Sequence, residues 1–281
     1  LNTARDVLRE ATKRLRLVSP TARLDAEMIL AHVLGTTRER VLADFTEPLT
    51  PPILARFEQA LERRLRLEPV AYLIGAREFY GLSFHVDARV LVPRPETELL
   101  VERTLQCARE HPCRPALRIA DIGTGSGAIA IAVATHLPAS RVWAVDLSGA
   151  ALEVARTNIE RHRLEERITL IEGDGLAALP GPVDLLLTNP PYTILAEVDE
   201  NVRRFEPHVA LDGGPGGLAL VAQLIATAPP YLRQGVMLIE IGSWQGQDAM
   251  ALARSAFPQA AIRLHQDLAQ HDRLLEIRVG I

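Results

Sequence analysis

Cysteine is nearly absent. Cys107 and Cys113 are the two in 281 residues, which excludes a disulfide-stapled scaffold and supplies no C-x-x-C pair for a metal ion. A reducing compartment is the simplest setting for such a chain. Lysine is rarer still: Lys13 stands against 30 arginines, a bias that reads as genomic composition rather than a binding code. Long apolar runs are missing as well. The stretch 129–134 is among the longest and falls far short of the roughly 20 residues a membrane span needs. The opening Leu-Asn-Thr-Ala-Arg has no initiator Met and leads into no apolar signal core, so no export signal is expected and a cytoplasmic location is. Nor is there an excess of positive charge. Residues 1–95 carry 15 basic and 12 acidic side chains, net +3, and residues 96–281 carry 16 and 23, net −7. Neither half has the basic surplus that makes nucleic-acid affinity nearly automatic.

What is present is a foldable chain, 48% hydrophobic and 23% charged. Its length suggests two domains at roughly 150 residues each. Residues 1–74 read as helices. Val7, Leu8, Ala11 and Leu15 recur at helical spacing, a second run passes through Leu24, Met28, Val33 and Leu34 to Gly35, and a third opens at Thr50-Pro51-Pro52, with proline in the first turn. Residues 75–95 read as a β-hairpin linker, because Leu82, Phe84 and Val86 alternate with Ser83, His85 and Asp87. From 96 to 281 short apolar runs alternate with helical patterns, which predicts an α/β domain with a mainly parallel sheet covered on both faces.

Two places in that alternation carry chemistry. The first is Ala120-Asp121-Ile122-Gly123-Thr124-Gly125-Ser126-Gly127-Ala128, a strand end, a glycine turn and a helix start. Such a turn lets backbone N–H groups approach a ligand closely. Asp146 ends the next strand about 20 residues on, the usual place for a carboxylate gripping ribose hydroxyls. Gly123, Gly125 and Ala128 also satisfy G-x-G-x-x-A, so a dinucleotide remains open. Asp121, placed to answer a cationic amino-acid end, and Asp174, a second strand-end carboxylate suited to an adenine amino group, favour S-adenosylmethionine. Either aspartate alone is also an ordinary cap or turn former.

The second place is Asn189-Pro190-Pro191-Tyr192, just past the strand 183–188. Two prolines stiffen the backbone where a parallel strand meets the ligand crevice. Asn189 brings a side-chain carbonyl, Pro190 a backbone carbonyl and Tyr192 a flat face, an arrangement suited to a planar NH2 group. The lone pair of such a nitrogen is delocalised; two acceptors that hold its hydrogens aim the lone pair at a methyl donor, by fixed dipoles and by alignment. His85, His208 and His271 are scattered with no metal spacing, so no metal is expected.

These segments resemble the release factor glutamine methyltransferases, the HemK/PrmC group. The resemblance runs through Pro69-Val70-Ala71-Tyr72-Leu73-Ile74-Gly75, Glu78-Phe79-Tyr80-Gly81, Val92-Pro93-Arg94-Pro95-Glu96-Thr97-Glu98, the glycine turn, Asn189–Tyr192 and Arg204-Phe205-Glu206-Pro207. It implies a Rossmann-like class I methyltransferase sheet at 96–281, a small helical substrate-recognition domain at 1–74 and the linker at 75–95. It implies methyl transfer from S-adenosyl-L-methionine to the side-chain amide of the glutamine in the Gly-Gly-Gln loop of class 1 peptide-chain release factors. The matching cofactor positions are Gly123, Thr124, Gly125, Ser126, Gly127, Asp146 and Gly175, beside Asp121 and Asp174, with Asn189 touching the cofactor as well. The substrate positions are Asn189, Pro190, Pro191 and Tyr192, of which Asn189, Pro190 and Tyr192 act on the reacting amide. Phe79, Phe84 and Pro93–Pro95 are expected to wall the substrate slot, with Arg204 and Glu206 on the other rim.

The sequence departs from the family at two points. The residue after Asp174 is often aromatic and here is Gly175, and a glycine is expected in Gln270-His271-Asp272-Arg273 before the acidic-basic pair. A monomer is expected, with no direct nucleic-acid or membrane partner. The rival readings are the same reaction on a ribosomal protein glutamine and, behind it, an adenine or cytosine amino-methyltransferase, which would call for a basic target-recognition region and base flipping. A nicotinamide-dependent oxidoreductase would leave Asn189–Tyr192 without a task.

Overall fold

The computed structural model describes residues 3–43, 46, 48–110 and 116–280; Cys113 lies outside them. The chain divides into two compact units, Leu1–Ala76 with Glu200–Phe205, and Arg77–Asp199 with Glu206–Ile281.

In the first unit local signals set the helix ends. Thr3 accepts a hydrogen bond from the Asp6 amide to start α1 (Ala4–Leu15), and Gly35, at φ 64°, closes α2 (Ala22–Leu34) in the left-handed conformation. The short α3 (Arg38–Ala43) and α5 (Val70–Ile74) flank α4 (Pro51–Leu65), whose two prolines occupy the first turn. Leu8, Leu15, Ile29, Leu30, Phe57 and Leu61 form the buried centre. One buried charge is fully engaged there: Asp25 accepts from the hydroxyls of Ser19 and Thr21 and from Arg64 Nε, each at 2.8 Å. That pairing ties α2 to α4 without leaving a buried ion alone.

In the second unit the hairpin is shorter and earlier than the alternation of 82–87 suggests. It pairs β1 (Ala76–Phe79) with β2 (Leu82–His85) across Tyr80-Gly81, whose φ values of 51° and 70° suit a tight hairpin turn. Val90–Val92 adds no strand. Arg89 binds Asp87 instead, and the Val92 amide donates to the Glu206 carboxylate at 3.0 Å, so the backbone there is satisfied by side chains rather than by a ladder.

After α6 (Glu98–Glu110) come β3 (Arg118–Ile122), α7 (Ala128–His136), β4 (Arg141–Asp146), α8 (Gly149–Arg161), β5 (Ile168–Glu172) and β6 (Leu185–Thr188). The short α9 (Glu200–Phe205) belongs to the first unit; α10 (Ala219–Thr227), β7 (Gly235–Glu240), α11 (Gly246–Ala256), β8 (Ala261–Gln266) and β9 (Asp272–Val279) complete the second. The seven-stranded sheet has the order β5-β4-β3-β6-β7-β9-β8. β5, β4, β3, β6 and β7 run parallel and β9 runs antiparallel to both its neighbours. The central strands are buried throughout, as the continuous runs 185–187 and 236–239 require. After β5 the chain returns past β3 to lay down β6 on its other side. The ends of β3 and β6 therefore flank the switch point, where an open α/β sheet leaves a crevice.

Candidate active site

The glycine turn closes the end of β3. The Gly123 and Thr124 amides both donate to Val145 O at 2.9 Å, so the turn is stitched to β4. Asp146, at the end of β4, accepts from the Gly125 amide at 2.8 Å through Oδ2 and from the Ser148 amide at 2.9 Å through Oδ1. Gly123 and Gly125 have φ of 73° and 55°, and a Cβ at either would meet nothing within 4 Å. The backbone there is bare toward open space, as a ligand-hugging turn requires.

That space is a cavity of about 390 Å³ entirely within the second unit, in the size range of small-ligand sites. Its floor is Gly123, Gly125 and Asp146; one side is Asp174 and Gly175; Asn189, Pro190 and Pro191 form another. Arg89, Val90 and Leu91 close it from the linker, and Pro207, Val209 and Ala210 from the segment after β6. Glu206 fastens these two walls together, since its buried carboxylate accepts from the Val92 amide at 3.0 Å and from Arg94 at 2.6 Å. The wall facing Gly175 is α10, through Leu220, Gln223, Leu224 and Thr227.

Asp121 sits behind the turn rather than on the cavity wall. It is completely buried; Oδ2 accepts from the Thr124 hydroxyl at 2.7 Å and from the Ala130 amide at 3.2 Å, while Oδ1 makes no hydrogen bond among the described residues. Burial pushes its carboxyl up to about 7, against the pull of Thr124 and Ala130. Thr124, Ser126 and Gly127 do not line the cavity either. Thr124 is turned to Asp121, Ser126 O accepts from Asn158 at 2.8 Å, and Gly127 caps α7.

The tetrapeptide after β6 is held from beneath. Asn189 Nδ2 donates to Thr97 Oγ1 at 3.0 Å. Tyr192 is anchored at both ends: its hydroxyl donates to Glu240 Oε1 at 3.1 Å, and its carbonyl accepts from Gln245 Nε2 at 3.0 Å. Tyr192 does not line the cavity, so the structure gathers Asn189, Pro190 and Pro191 on its wall and sets Tyr192 behind them. Burial, reinforced by the Glu240 charge, pushes the Tyr192 phenol above its ordinary range. Burial also pushes the Glu240 carboxyl up to about 7, opposed by the Thr97 and Tyr192 hydroxyls.

Phe79 and Phe84, expected to wall a slot, are instead buried against each other, edge to face at 6.2 Å; two apolar rings in a hairpin gain more by packing than by facing solvent. Sequence reading missed Glu240, Gln245, Leu220 and Leu224. A glutamate ending an otherwise apolar strand, 235–240, was the available signal for the first. Among the described residues no group of three or more His, Cys, Asp or Glu is placed to hold a metal ion, and no helix is long and apolar enough to cross a membrane.

Comparison with known proteins agrees along the chain. Residues 6–75 match the PrmC N-terminal domain and residues 96–236 the Methyltransferase small domain. A release factor glutamine methyltransferase of Moorella thermoacetica is 44% identical over 277 residues, covering 96% of each chain. That of Chlorobaculum tepidum is 42% identical over 262 residues, covering 89% of this chain and 88% of its own. Among solved structures, the N-terminal domain of human METTL16 in complex with SAH shares the fold, with a TM-score of 0.54 at 16% identity over 78% of this chain and 84% of that one. On these matches, the chain belongs to the release factor glutamine methyltransferase family.

Proposed function

We propose that this protein transfers a methyl group from S-adenosyl-L-methionine to the side-chain amide nitrogen of the glutamine in the Gly-Gly-Gln loop of class 1 peptide-chain release factors. The observation that carries the reading is the meeting of Asn189 and Pro190 with Gly123, Gly125 and Asp146 around one cavity. A nucleophile-holding tetrapeptide and a turn suited to a nucleoside then face the same space.

The residues present fit the cofactor. Asp121 braces the turn from behind through Thr124 and keeps one buried carboxylate oxygen without a partner, so its charge favours a cationic ligand end without touching it. Gly123 and Gly125 leave room for close backbone approach, with Thr124, Ser126 and Gly127 shaping the turn. Asp146 holds the ribose hydroxyls, Asp174 and Gly175 border the adenine, and Asn189 lies at the reactive end. When bound, S-adenosylmethionine supplies a sulfonium methyl: the new C–N bond forms as the C–S bond breaks, sulfur leaves as a neutral thioether, and the methylated nitrogen sheds a proton to water.

The protein's own part is positional. Asn189 Oδ1 and the Pro190 carbonyl accept the two amide hydrogens of the substrate and reduce the delocalisation of its lone pair. Pro191 stiffens the strand exit and Tyr192 packs behind it. Such fixed acceptors act where charge develops, with no general base needed before attack. Residues 1–74 recognise the protein substrate, 75–95 link, and 96–281 perform the transfer. The protein acts as a cytoplasmic monomer, without direct contact with nucleic acid or membrane.

The test is incubation with labelled S-adenosylmethionine and purified release factors, followed by peptide mass spectrometry. The expected mark is one methyl on the Gly-Gly-Gln glutamine. A mark on ribosomal protein or DNA run in parallel, with none on release factors, refutes the assignment.

A further inference from the structure

The tetrapeptide leaves β6 with its upstream end held by the sheet: Thr188 is paired with Ile239 of β7, and its hydroxyl donates to Ile122 O at 2.8 Å. Its downstream end hangs on a residue beyond the end of β7. Gln245 caps α11 and is 0% exposed. Its backbone amide donates to Gly242 O at 2.9 Å, and its side-chain Oε1 accepts from the Gly242 amide, also at 2.9 Å. The side chain is thus folded over its own turn with the polarity of its amide settled, because a backbone N–H is met by the oxygen end alone. The nitrogen end, Nε2, donates to Tyr192 O at 3.0 Å.

The neighbouring chain crowds this contact. A Cβ on Gly217 would lie 2.4 Å from Tyr192 O and 2.9 Å from Gln245 Nε2, and one on Gly213 would lie 2.8 Å from Tyr192 Cα. Thr193 is laced to the same segment, its amide donating to Leu211 O at 3.2 Å and its carbonyl accepting from the Gly213 amide at 2.9 Å. Between the two anchors, Pro190 and Pro191 have φ locked by their rings. The segment therefore moves nearly as one piece, and a shift of Tyr192 O is passed back to Pro190 O instead of being absorbed by backbone rotation. The Tyr192 hydroxyl on Glu240 holds the ring; Gln245 holds the backbone. Resting on the functional reading above, we propose that Gln245 is a positioning residue: by gripping the Tyr192 carbonyl it fixes the direction in which the Pro190 carbonyl meets the substrate amide.

The sharpest test is Gln245→Glu, the same shape with the donor replaced by a group whose donor depends on pH. Ionised, the new carboxylate still accepts from Gly242 but has nothing to give Tyr192 O; protonated, it donates an O–H and accepts as glutamine does. Burial raises such a carboxyl above its ordinary range, so both forms are reached between pH 9 and pH 6. At pH 9 and saturating S-adenosylmethionine, kcat on a release factor is expected to fall by about tenfold or more, the scale on which misplaced acceptors slow a reaction. KM for the factor and cofactor affinity should stay within about threefold of wild type, since the contact touches neither ligand. The ratio of variant to wild-type kcat should then climb toward parity as pH falls to 6. Gln245→Met, with no donor at any pH, should show the same loss and a flat ratio. The titratable and charged groups around the position are the Tyr192 phenol with Glu240 and Arg273 beside it, Asp272 against Gly246, and Asp248 on α11; both proteins carry them, so the ratio removes their own titration.

A ratio for Gln245→Glu that is flat or falls with decreasing pH, a Gln245→Met enzyme with normal kcat, or a loss expressed in KM alone would overturn the inference. The functional reading would still stand if the wild type marks the Gly-Gly-Gln glutamine and Asn189→Ala loses turnover. Should Gln245→Glu not fold, the kcat and KM of Gln245→Met decide. No methylated glutamine with the wild-type protein would sink the functional reading and this inference together.

Discussion

Asp121→Asn separates what a buried carboxylate costs from what it does. In the native protein its carboxyl is raised from the ordinary 3.8 to about 7, with burial as the cause, a change worth about 4 kcal/mol. The sign follows from proton counting. Between pH 4 and pH 7 the unfolded chain has released this proton and the native protein still holds it, so stability falls as pH rises through that window. Asparagine carries no such dependence. The stability of the variant relative to wild type should therefore climb by about 1.4 kcal/mol per pH unit from 4 to 7 and level off above. The new amide keeps the acceptor for Thr124 and Ala130 but leaves buried N–H groups where Oδ1 lacked a partner, which subtracts about 1–3 kcal/mol at every pH. The net expectation is near-parity or slight loss at pH 5 and a gain of about 1–3 kcal/mol at pH 8. Urea unfolding of the cofactor-free protein, followed by fluorescence, reads the correct unit, because Trp143 and Trp244 both belong to it. At pH 8, where the native carboxyl is ionised, S-adenosylmethionine affinity should fall at least tenfold, since a neutral amide answers an ammonium poorly. A stability difference that is constant with pH, or shrinks as pH rises, would refute the electrostatic reasoning; unchanged cofactor affinity would refute the role.

Asn189→Ala should cut kcat by roughly 100-fold, about 3 kcal/mol by analogy with loss of one oxyanion-hole donor, while calorimetry finds cofactor affinity nearly unchanged; turnover within threefold of wild type would contradict the assignment. Asp146→Ala should do the opposite, weakening cofactor binding first, because it also strips the Gly125 and Ser148 amides of their acceptor; equal affinity by calorimetry would mean the ribose is held elsewhere. Gly217→Ala should impair both turnover and thermal stability, because its Cβ would lie 2.4 Å from Tyr192 O at a φ of 73°; a variant with normal kcat would show that the tetrapeptide tolerates displacement.

The readable parts of this protein were those whose cause is local. Gly35, Pro51-Pro52 and the run of strand and helix periods announce themselves within a few residues, and so does the glycine turn with Asp146 at its expected remove. The same holds for the glycine missed near position 270, since the backbone at Gln270 has the conformation a glycine would favour. What could not be read is set by register between distant segments. Nothing near Asn189 in sequence points to Thr97, 92 residues away, or to Glu240, which meets the tetrapeptide only because β6 and β7 align. The second hairpin strand ends at His85 although the alternation runs on to 87, because Asp87 and Glu206 supply side-chain partners there. Tyr192 commits its hydroxyl to Glu240, a buried acid far away in sequence that only the strand register brings to it.

At Gly175 we infer that the shape of the cavity takes up a substitution of a residue that is often aromatic in the family. An aromatic side chain there would have to start from a φ of 54°, and its Cβ would already lie 3.8 Å from Leu224 Cδ2. In this chain the volume such a ring would fill is bounded by α10, with Leu220 and Leu224 lining the same cavity. Burial against an aliphatic side chain stabilises a planar ring by about 1.5–3 kcal/mol, and the extra term for an aromatic partner is only about 0.5–1.5 kcal/mol beyond area. Exchanging one for the other therefore alters cofactor affinity by about tenfold at most, too little to cost the enzyme its chemistry. Leu224→Ala tests the exchange directly: it should weaken S-adenosylmethionine binding more than Asn189→Ala does while leaving kcat at saturating cofactor near normal, and the reverse ranking would mean that α10 is a bystander.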